Sequence, residues 1–205
     1  MIKTIALVLC AAAPMFAGEG SMTLDERAYL LQQLESSKKE MLASIEGLTA
    51  AQWKFKPAPA VWSVEECAEH LILAEDYIFK GAQQVLQTPA VPRPEKSTAE
   101  VDQKFVTGVK DRSRKATAPE AIVPSGKFAT PADAAREFTA RRDKTIEYAK
   151  TTSDGLRVHV GPGPVGPMDA YQFLLLLAAH SSRHTAQILE VKANQDYPKA
   201  AAALP

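Results

Sequence analysis

Apolar residues recur every three or four positions in four long stretches of the chain, and this period predicts amphipathic helices. The stretches are residues 23–48, 63–87, 130–151 and 168–194. A more polar stretch, residues 97–115, predicts one further helix. Helices of roughly 20 to 27 residues pack well side by side. The pattern therefore predicts an all-α fold, a four-helix bundle with an additional short helix and long connecting loops.

Local signals mark where these helices begin. Thr23 with Glu26, and Ser63 with Glu66, have the spacing of a capping box, in which each residue accepts from a free amide of the other. The pair Thr130-Pro131 places proline at the first position of a helix, where its missing N–H costs nothing.

Prolines and glycines mark the connections between the helices. Pro57 and Pro59 predict a non-helical connector over residues 53–61. Residues 153–167 are rich in glycine and proline and predict a loop, with a short extended piece at residues 156–160.

The first twenty residues differ from the rest of the chain. Lys3 is followed by an apolar run over residues 5–13, and small residues lie between Ala17 and Gly20. This layout is typical of a secretory signal peptide, and the run is too short to span a bilayer. Cleavage is expected after Ala17, with sites up to Gly20 as alternatives. An uncleaved apolar helix is the competing interpretation. The sequence thus predicts an exported protein, periplasmic or secreted, with no membrane contact after cleavage.

Composition predicts a single domain over residues 21–205. The chain has 205 residues and is 46% hydrophobic, which is enough for one sizeable core. Without the leader only Cys67 remains of two cysteines, so no internal disulfide forms. Basic and acidic residues number 24 each, and this balance argues against a nucleic-acid partner. A small-molecule substrate is expected; a homodimer is compatible with the sequence.

Three histidines are the candidate site. His180 and His184 are four residues apart, so they share one face of the last predicted helix. His70 lies on the second predicted helix. If the two helices pack together, three neutral imidazoles can meet at one divalent metal ion and leave coordination positions open. The alternative is a metal-free polar cluster in which each histidine finds a hydrogen-bond partner.

The same residues carry a resemblance to the DinB-like superfamily. Members have a Pro-x-x-x-x-Trp-Ser-Val segment that leads into a helix with a histidine, and a later His-x-x-x-His that continues into Gln-Ile. This chain has the first segment at residues 57–64, the histidine at His70, and the second motif at His180, His184 and Gln187-Ile188. The resemblance extends over residues 23–197.

What the resemblance implies is a four-helix bundle with a three-histidine metal site, often holding nickel or zinc. The ligands would be His70, His180 and His184. Relatives include metal-dependent thiol S-transferases, such as bacillithiol transferases and mycothiol-dependent maleylpyruvate isomerase. A metal-dependent hydrolase or transferase acting on a small molecule is the function it implies.

Several neighbouring residues have two interpretations each. Glu66, one turn before His70, is a candidate general base or simply half of the capping box. Gln187 is either a partner of a metal-bound histidine or part of the polar edge. Cys67 is either a fourth ligand or a small buried apolar residue, and the second is favoured. Trp53 and Trp62 are predicted as core anchors, although either can wall a pocket.

Other features are predicted to have no role in the chemistry. His159 is expected on the surface of the loop. Residues 161–166 formally match a phosphate-binding glycine pattern, but two prolines remove amide donors that a phosphate needs. Arg141 and Arg142 are expected on a solvated helix face.

Three functions therefore stay open at the level of sequence. They are an enzyme that uses the metal, a bundle that binds metal or a small ligand without turnover, and a metal-free protein. The substrate and the identity of the metal are not given by the sequence, because imidazole suits several transition metals.

Overall fold

A computed structural model describes residues 20–93, 99–113 and 116–199. The predicted leader, apart from Gly20, lies outside these ranges. The helices are α1 (Leu24–Ile45), α2 (Ala50–Lys54), α3 (Val64–Val85), α4 (Ala99–Lys110), α5 (Pro131–Thr151) and α6 (Ala170–Lys192), with a 3-10 turn at Glu120–Ile122. A two-stranded antiparallel hairpin, β1 (Val160–Gly163) and β2 (Gly166–Asp169), precedes α6.

The four long helices form the predicted bundle. α6 packs against both α1 and α3, and α5 packs against the same two helices. The short helix α4 packs on the outer side of α6. Because α3 and α6 are the most extensively packed pair, residues on their facing sides are brought together. The all-α prediction is confirmed, with the small hairpin as an addition.

Apolar side chains fill the bundle in two clusters. One cluster surrounds the first half of α6 and includes Leu30, Leu34, Phe173 and Leu174. The other lies around the second half of α6 and includes Met41, Trp53, Leu71, Phe138 and Ile188. Within the described ranges, no helix is both long and apolar enough to cross a membrane.

Both predicted capping boxes are present. Thr23 and Glu26 satisfy each other's backbone amides at the start of α1, and Ser63 and Glu66 do so at the start of α3. Each removes two unsatisfied donors at a helix end. The same device, not predicted, starts α6, where Asp169 pairs with Gln172.

The prediction of a non-helical connector over residues 53–61 is wrong for residues 53 and 54, which are helical. Thr49 caps a short helix, α2, which contains Trp53 and ends at Lys54, before Pro57. Proline stops this helix but does not prevent it from starting, because the ring affects only its own turn and the residue before it. Trp53 is fully buried and donates from Nε1 to the Phe128 carbonyl at 3.0 Å.

The extended piece also lies further along than predicted. The strands are Val160–Gly163 and Gly166–Asp169, so the glycine- and proline-rich segment is the hairpin itself. Gly166 has a φ of 113°, which suits glycine at the turn. Met168 therefore belongs to a strand, and the last helix starts at Ala170. His159, predicted on the surface, is half-buried, and its Nδ1 lies 2.7 Å from the Thr88 carbonyl oxygen.

The prediction that Arg142 lies on a solvated face is wrong. Its side chain is 0% exposed, because position 142 continues the buried stripe of α5 that includes Phe138 and Ala149. The guanidinium pairs with the Glu75 carboxylate on α3 at 2.5 Å. Its other acceptors are Leu34 O and Ser37 Oγ on α1, and Leu177 O and Ser181 Oγ on α6. One side chain thus joins α5 to the other three long helices.

Candidate metal centre

The three candidate histidines meet between α3 and α6. His70 comes from α3, and His180 and His184 come from successive turns of α6. Their ligand atoms all lie within 4.8 Å of one another, and together they form a group that could hold a metal ion. The ring centroids are 4.5 to 5.0 Å apart. The predicted juxtaposition is therefore present, while ligation itself stays a prediction.

Hydrogen bonds fix the orientation of two of these rings. Nδ1 of His70 lies 2.7 Å from the Ile122 carbonyl oxygen, and Nδ1 of His184 lies 2.8 Å from Gln187 Oε1. A carbonyl oxygen only accepts, so each Nδ1 carries the proton. In the neutral rings Nε2 then holds a lone pair, which is the state that binds a metal. Gln187 is thus a partner of His184 rather than only a polar edge.

The third ring faces the first. Nε2 of His180 lies 3.3 Å from Nε2 of His70. Because Nε2 of His70 holds a lone pair, two arrangements satisfy both atoms. Either His180 donates an Nε2–H to His70, or both nitrogens present lone pairs to one cation. The first corresponds to the metal-free cluster and the second to the metal site.

Burial keeps all three histidines neutral. It lowers the pKa of His70 and holds the pKa of His180 well below 6.5. It also lowers the pKa of His184 to about 3, and the nearby His70 adds to the shift. Protons then do not compete with a metal for these nitrogens near neutral pH.

Glu69, the residue before His70, holds the loop that contacts this site. Its buried carboxylate accepts from the amides of Ser125 (3.0 Å), Gly126 (2.7 Å) and Lys127 (2.9 Å), and from Ser125 Oγ. Burial alone would raise the pKa of Glu69, but these hydrogen bonds lower it below its usual value. The loop is held near Ile122, whose carbonyl orients His70. No signal in the sequence pointed to Glu69, because its partners are more than fifty residues away.

Glu66 has the structural role that the sequence offered as an alternative to catalysis. One oxygen accepts from the Ser63 amide at 2.7 Å, and the other from Lys56 Nζ at 2.7 Å. In the described part of the chain, no hydrogen bond joins it to the three histidines. Its capping role is confirmed, and its role as a general base stays a prediction.

Trp62 and Cys67 lie close to the site in sequence but differ in what they contact. The indole of Trp62 is 4.8 Å from the His70 ring and stacks at 6.1 Å on the His184 ring, measured between centroids. Trp62 therefore walls the site. Cys67 is fully buried in the apolar cluster, and burial raises the pKa of its thiol to about 12. Cys67 is thus a packed, protonated thiol, as the favoured interpretation had it.

The sequence model of the DinB superfamily matches residues 33–188 of the chain. The chain belongs to the DinB superfamily. The match contains all three histidines, the whole of α3 and α6 as far as residue 188. It therefore confirms the resemblance that the sequence motifs indicated.

Two proteins of known sequence or structure resemble this DinB-superfamily chain. The uncharacterized protein YuaE of Bacillus subtilis (strain 168) is 25% identical over 157 residues, which is 76% of this chain and 93% of YuaE. The solved structure of YfiT from Bacillus subtilis superposes with a TM-score of 0.56 and 16% identity, covering 84% of this chain and 89% of that one. YfiT is described as a probable metal-dependent hydrolase with an unusual four-helix bundle topology. At this identity the likeness shows the fold.

Proposed function

We propose that this DinB-superfamily protein binds one divalent metal ion, nickel or zinc, through His70, His180 and His184, and that it catalyses hydrolysis or group transfer on a small molecule. The observation that carries the proposal is the convergence of three neutral imidazoles, with Nδ1 protonated by geometry in His70 and His184. Three nitrogen ligands on a tetrahedral or larger coordination sphere leave at least one position for water or substrate.

The chemistry available to such a site is Lewis-acid chemistry: a bound ion lowers the pKa of a coordinated water or thiol and polarises a carbonyl oxygen. The residues of this chain supply the surroundings. His70 is held by the Ile122 carbonyl and His184 by Gln187, so the ligand atoms need little reorganisation. Trp62 covers one side with an aromatic face, which excludes water there and offers a surface to an apolar part of a substrate.

The likeness to YfiT supports hydrolysis over other metal chemistry, because YfiT is described as a probable metal-dependent hydrolase. Thiol S-transfer is the variant of the same proposal that the family resemblance implies. A coordinated thiolate in place of coordinated hydroxide would use the same open position.

Metal or ligand binding without turnover is the second candidate function. The observation that favours it is the packing of Trp62 against two of the three rings, since this narrows access to the site. The two candidates share the metal and differ in whether a substrate reaches it.

Elemental analysis of protein made without a histidine tag tests the metal. We expect about one nickel or zinc ion per chain after the metal is supplied and the excess removed. His180→Ala should lose it, because two imidazoles hold a divalent ion far more weakly than three. His159→Gln is the matched control, since His159 is the fourth histidine of the chain and bonds to Thr88 elsewhere. A content below about a tenth of an ion per chain in the parent protein would contradict the proposal.

Turnover is tested on the same metallated protein. Ester, amide and phosphoester panels test hydrolysis, and an electrophile with a low-molecular-weight thiol tests transfer. Activity that disappears in both the chelated protein and His180→Ala supports the enzyme. A full metal content without activity in either panel supports the second candidate.

We further propose that the protein acts outside the cytoplasm, on the basis of the leader pattern in residues 1–20. The Gly20 carbonyl accepts from the Arg157 amide at 3.0 Å, and a Cβ at Gly20 would lie 2.4 Å from a Val158 methyl. Gly20 is therefore part of the packed domain, which favours cleavage after Ala17. Intact mass of protein secreted by its native host tests this: a mature chain starting at Gly18 is expected, and retained residues 1–17 would contradict export.

A further inference from the structure

A chain of hydrogen bonds leads from the surface of α6 to the His184 ring. Arg112, which follows α4, donates from Nη1 to Gln187 Oε1 at 3.3 Å. The same oxygen lies 2.8 Å from Nδ1 of His184. Arg112 also forms two bonds to the Glu190 carboxylate, from Nε at 2.6 Å and from Nη2 at 2.7 Å. Gln187 and Glu190 are three residues apart, so both face Arg112 from one side of the helix.

Donor and acceptor chemistry gives this chain a direction. A guanidinium has only donors, so the amide group of Gln187 must turn its oxygen, not its NH₂, toward Arg112. That oxygen also faces Nδ1 of His184, which must then carry the proton. Nε2 of His184 is left with the lone pair, so it is the nitrogen that His184 can offer to the three-histidine group. The bidentate pair with Glu190 holds the guanidinium in place while it does this.

We propose that Arg112 is a positioning residue of the metal centre, which selects the metal-binding tautomer of His184 by fixing the orientation of the Gln187 amide. Without Arg112 the amide can turn over and donate an N–H to Nδ1 of His184. The ring then carries its proton on Nε2, and an N–H faces the site where a lone pair is needed. The consequence for metal affinity rests on the proposed function, whereas the tautomer itself does not.

The positioning role predicts weaker metal binding when Arg112 is removed, whereas the positive charge of Arg112, considered alone, predicts tighter binding. Burial is the main cause of the low pKa of His184, and the Arg112 charge adds to it. A positive charge near a cation site weakens binding, so removing the charge alone would tighten it. If Arg112 acts by positioning, removing it weakens binding instead. The sign of the change therefore separates the two roles.

The first experiment compares the parent protein with Arg112→Met at neutral pH. Long-range ¹H–¹⁵N NMR of the chelated protein, labelled at its four histidines, reports which ring nitrogen of His184 carries the proton. We expect Nδ1–H in the parent and a substantial Nε2–H population in the variant. Zinc affinity, measured by competition with a chelating dye, should fall about 10- to 100-fold.

The double variant Arg112→Met with Gln187→Glu is the matched control. A carboxylate has no N–H to donate, so it holds His184 as Nδ1–H without help from Arg112. We expect the double variant to recover the tautomer of the parent. Damage to folding alone would not be repaired by this second change.

Three results would overturn the proposal. The first is an unchanged Nδ1–H tautomer in Arg112→Met, and the second is a tautomer shift that Gln187→Glu does not reverse. The third is tighter zinc binding by Arg112→Met, which would assign Arg112 a purely electrostatic role. If the tautomers behave as expected while no variant binds zinc, the metal proposal fails and the positioning role stands.

Discussion

Arg142 shows how a single buried residue organises this bundle. Its guanidinium is fully desolvated, which is costly unless every donor finds an acceptor. The Glu75 carboxylate neutralises the charge, and carbonyl and hydroxyl oxygens of α1 and α6 accept from the remaining N–H groups. Few arrangements of four helices satisfy all of these partners, so the residue specifies how the helices pack as much as it stabilises them.

Replacing Arg142 with methionine should cost about 3 to 5 kcal/mol of unfolding free energy, because Glu75 would be left as an unpaired buried charge. Urea unfolding followed by circular dichroism measures this. Adding Glu75→Gln should recover a large part of the loss. Arg141→Met is the matched control: its partners Asp76 and Glu137 are 72% and 51% exposed, so less than about 1 kcal/mol is expected. Equal losses at both positions would contradict the role of Arg142.

At the scale of elements, adjacent residues of α3 hold the same connecting segment. His70 donates to the Ile122 carbonyl, and Glu69 accepts from the amides of residues 125–127. The segment from the 3-10 turn to α5 is thus tied to α3 at two points. Because one of these ties orients a candidate ligand, the loop is part of the site although it contributes no ligand of its own.

The pH dependence of stability should report the partly buried His184. The folded-state pKa of His184 is about 3, against 6.5 for an exposed histidine. Between these two pKa values the unfolded chain binds more protons than the folded protein. The free energy of unfolding therefore rises with pH and decreases as pH falls. Urea unfolding of the chelated protein between about pH 6.5 and 5 should show this loss. His184→Gln cannot titrate and should give a shallower slope; an identical slope would contradict the assignment.

At the scale of the whole molecule, α6 connects two polar centres. Arg157, fully buried, lies among the carboxylates of Glu26, Asp102 and Asp169 and stacks on the Tyr171 ring, 3.9 Å from its centroid. Asp169 caps the start of α6, and His180 follows eleven residues later, about 16 Å along the helix at ~1.5 Å per residue. One centre joins the hairpin region to α1 and α4, and the other carries the histidines.

The separation predicts independent effects of substitution at the two centres. Arg157→Met should destabilise the protein by several kcal/mol, because buried carboxylates would be left without a positively charged partner. The zinc affinity of the folded protein should stay unchanged. His184→Ala should have the opposite pattern: its main effect should be a loss of zinc affinity, with a smaller effect on stability. Thermal unfolding and zinc competition on the same samples measure both quantities. Weaker zinc binding by folded Arg157→Met would show that the centres are coupled.

Local interactions along the chain were enough to determine the four long helices and the pair His180 and His184. A capping box joins residues three apart, and a spacing of four puts two side chains on one helix face, so neither depends on the rest of the fold. His70 joined this pair only on the condition that its helix packs beside theirs, and the family motifs supported that condition. The sequence also contains a sign that Arg142 is buried, since position 142 lies on the apolar stripe of its helix. A charge at that position does not reveal which carboxylate will pair with it.

Only the tertiary structure decided the remaining features, because each depends on partners far away in the sequence. The proton on His70 is placed by a carbonyl 52 residues away, and Arg142 pairs with Glu75 from another helix, 67 residues away. Burial of a charge is favourable only when packing supplies its acceptors, and the apolar periodicity does not indicate which acceptors those will be. The sequence thus determined which residues can form the site, and packing decided their protonation, their supports and the wall beside them.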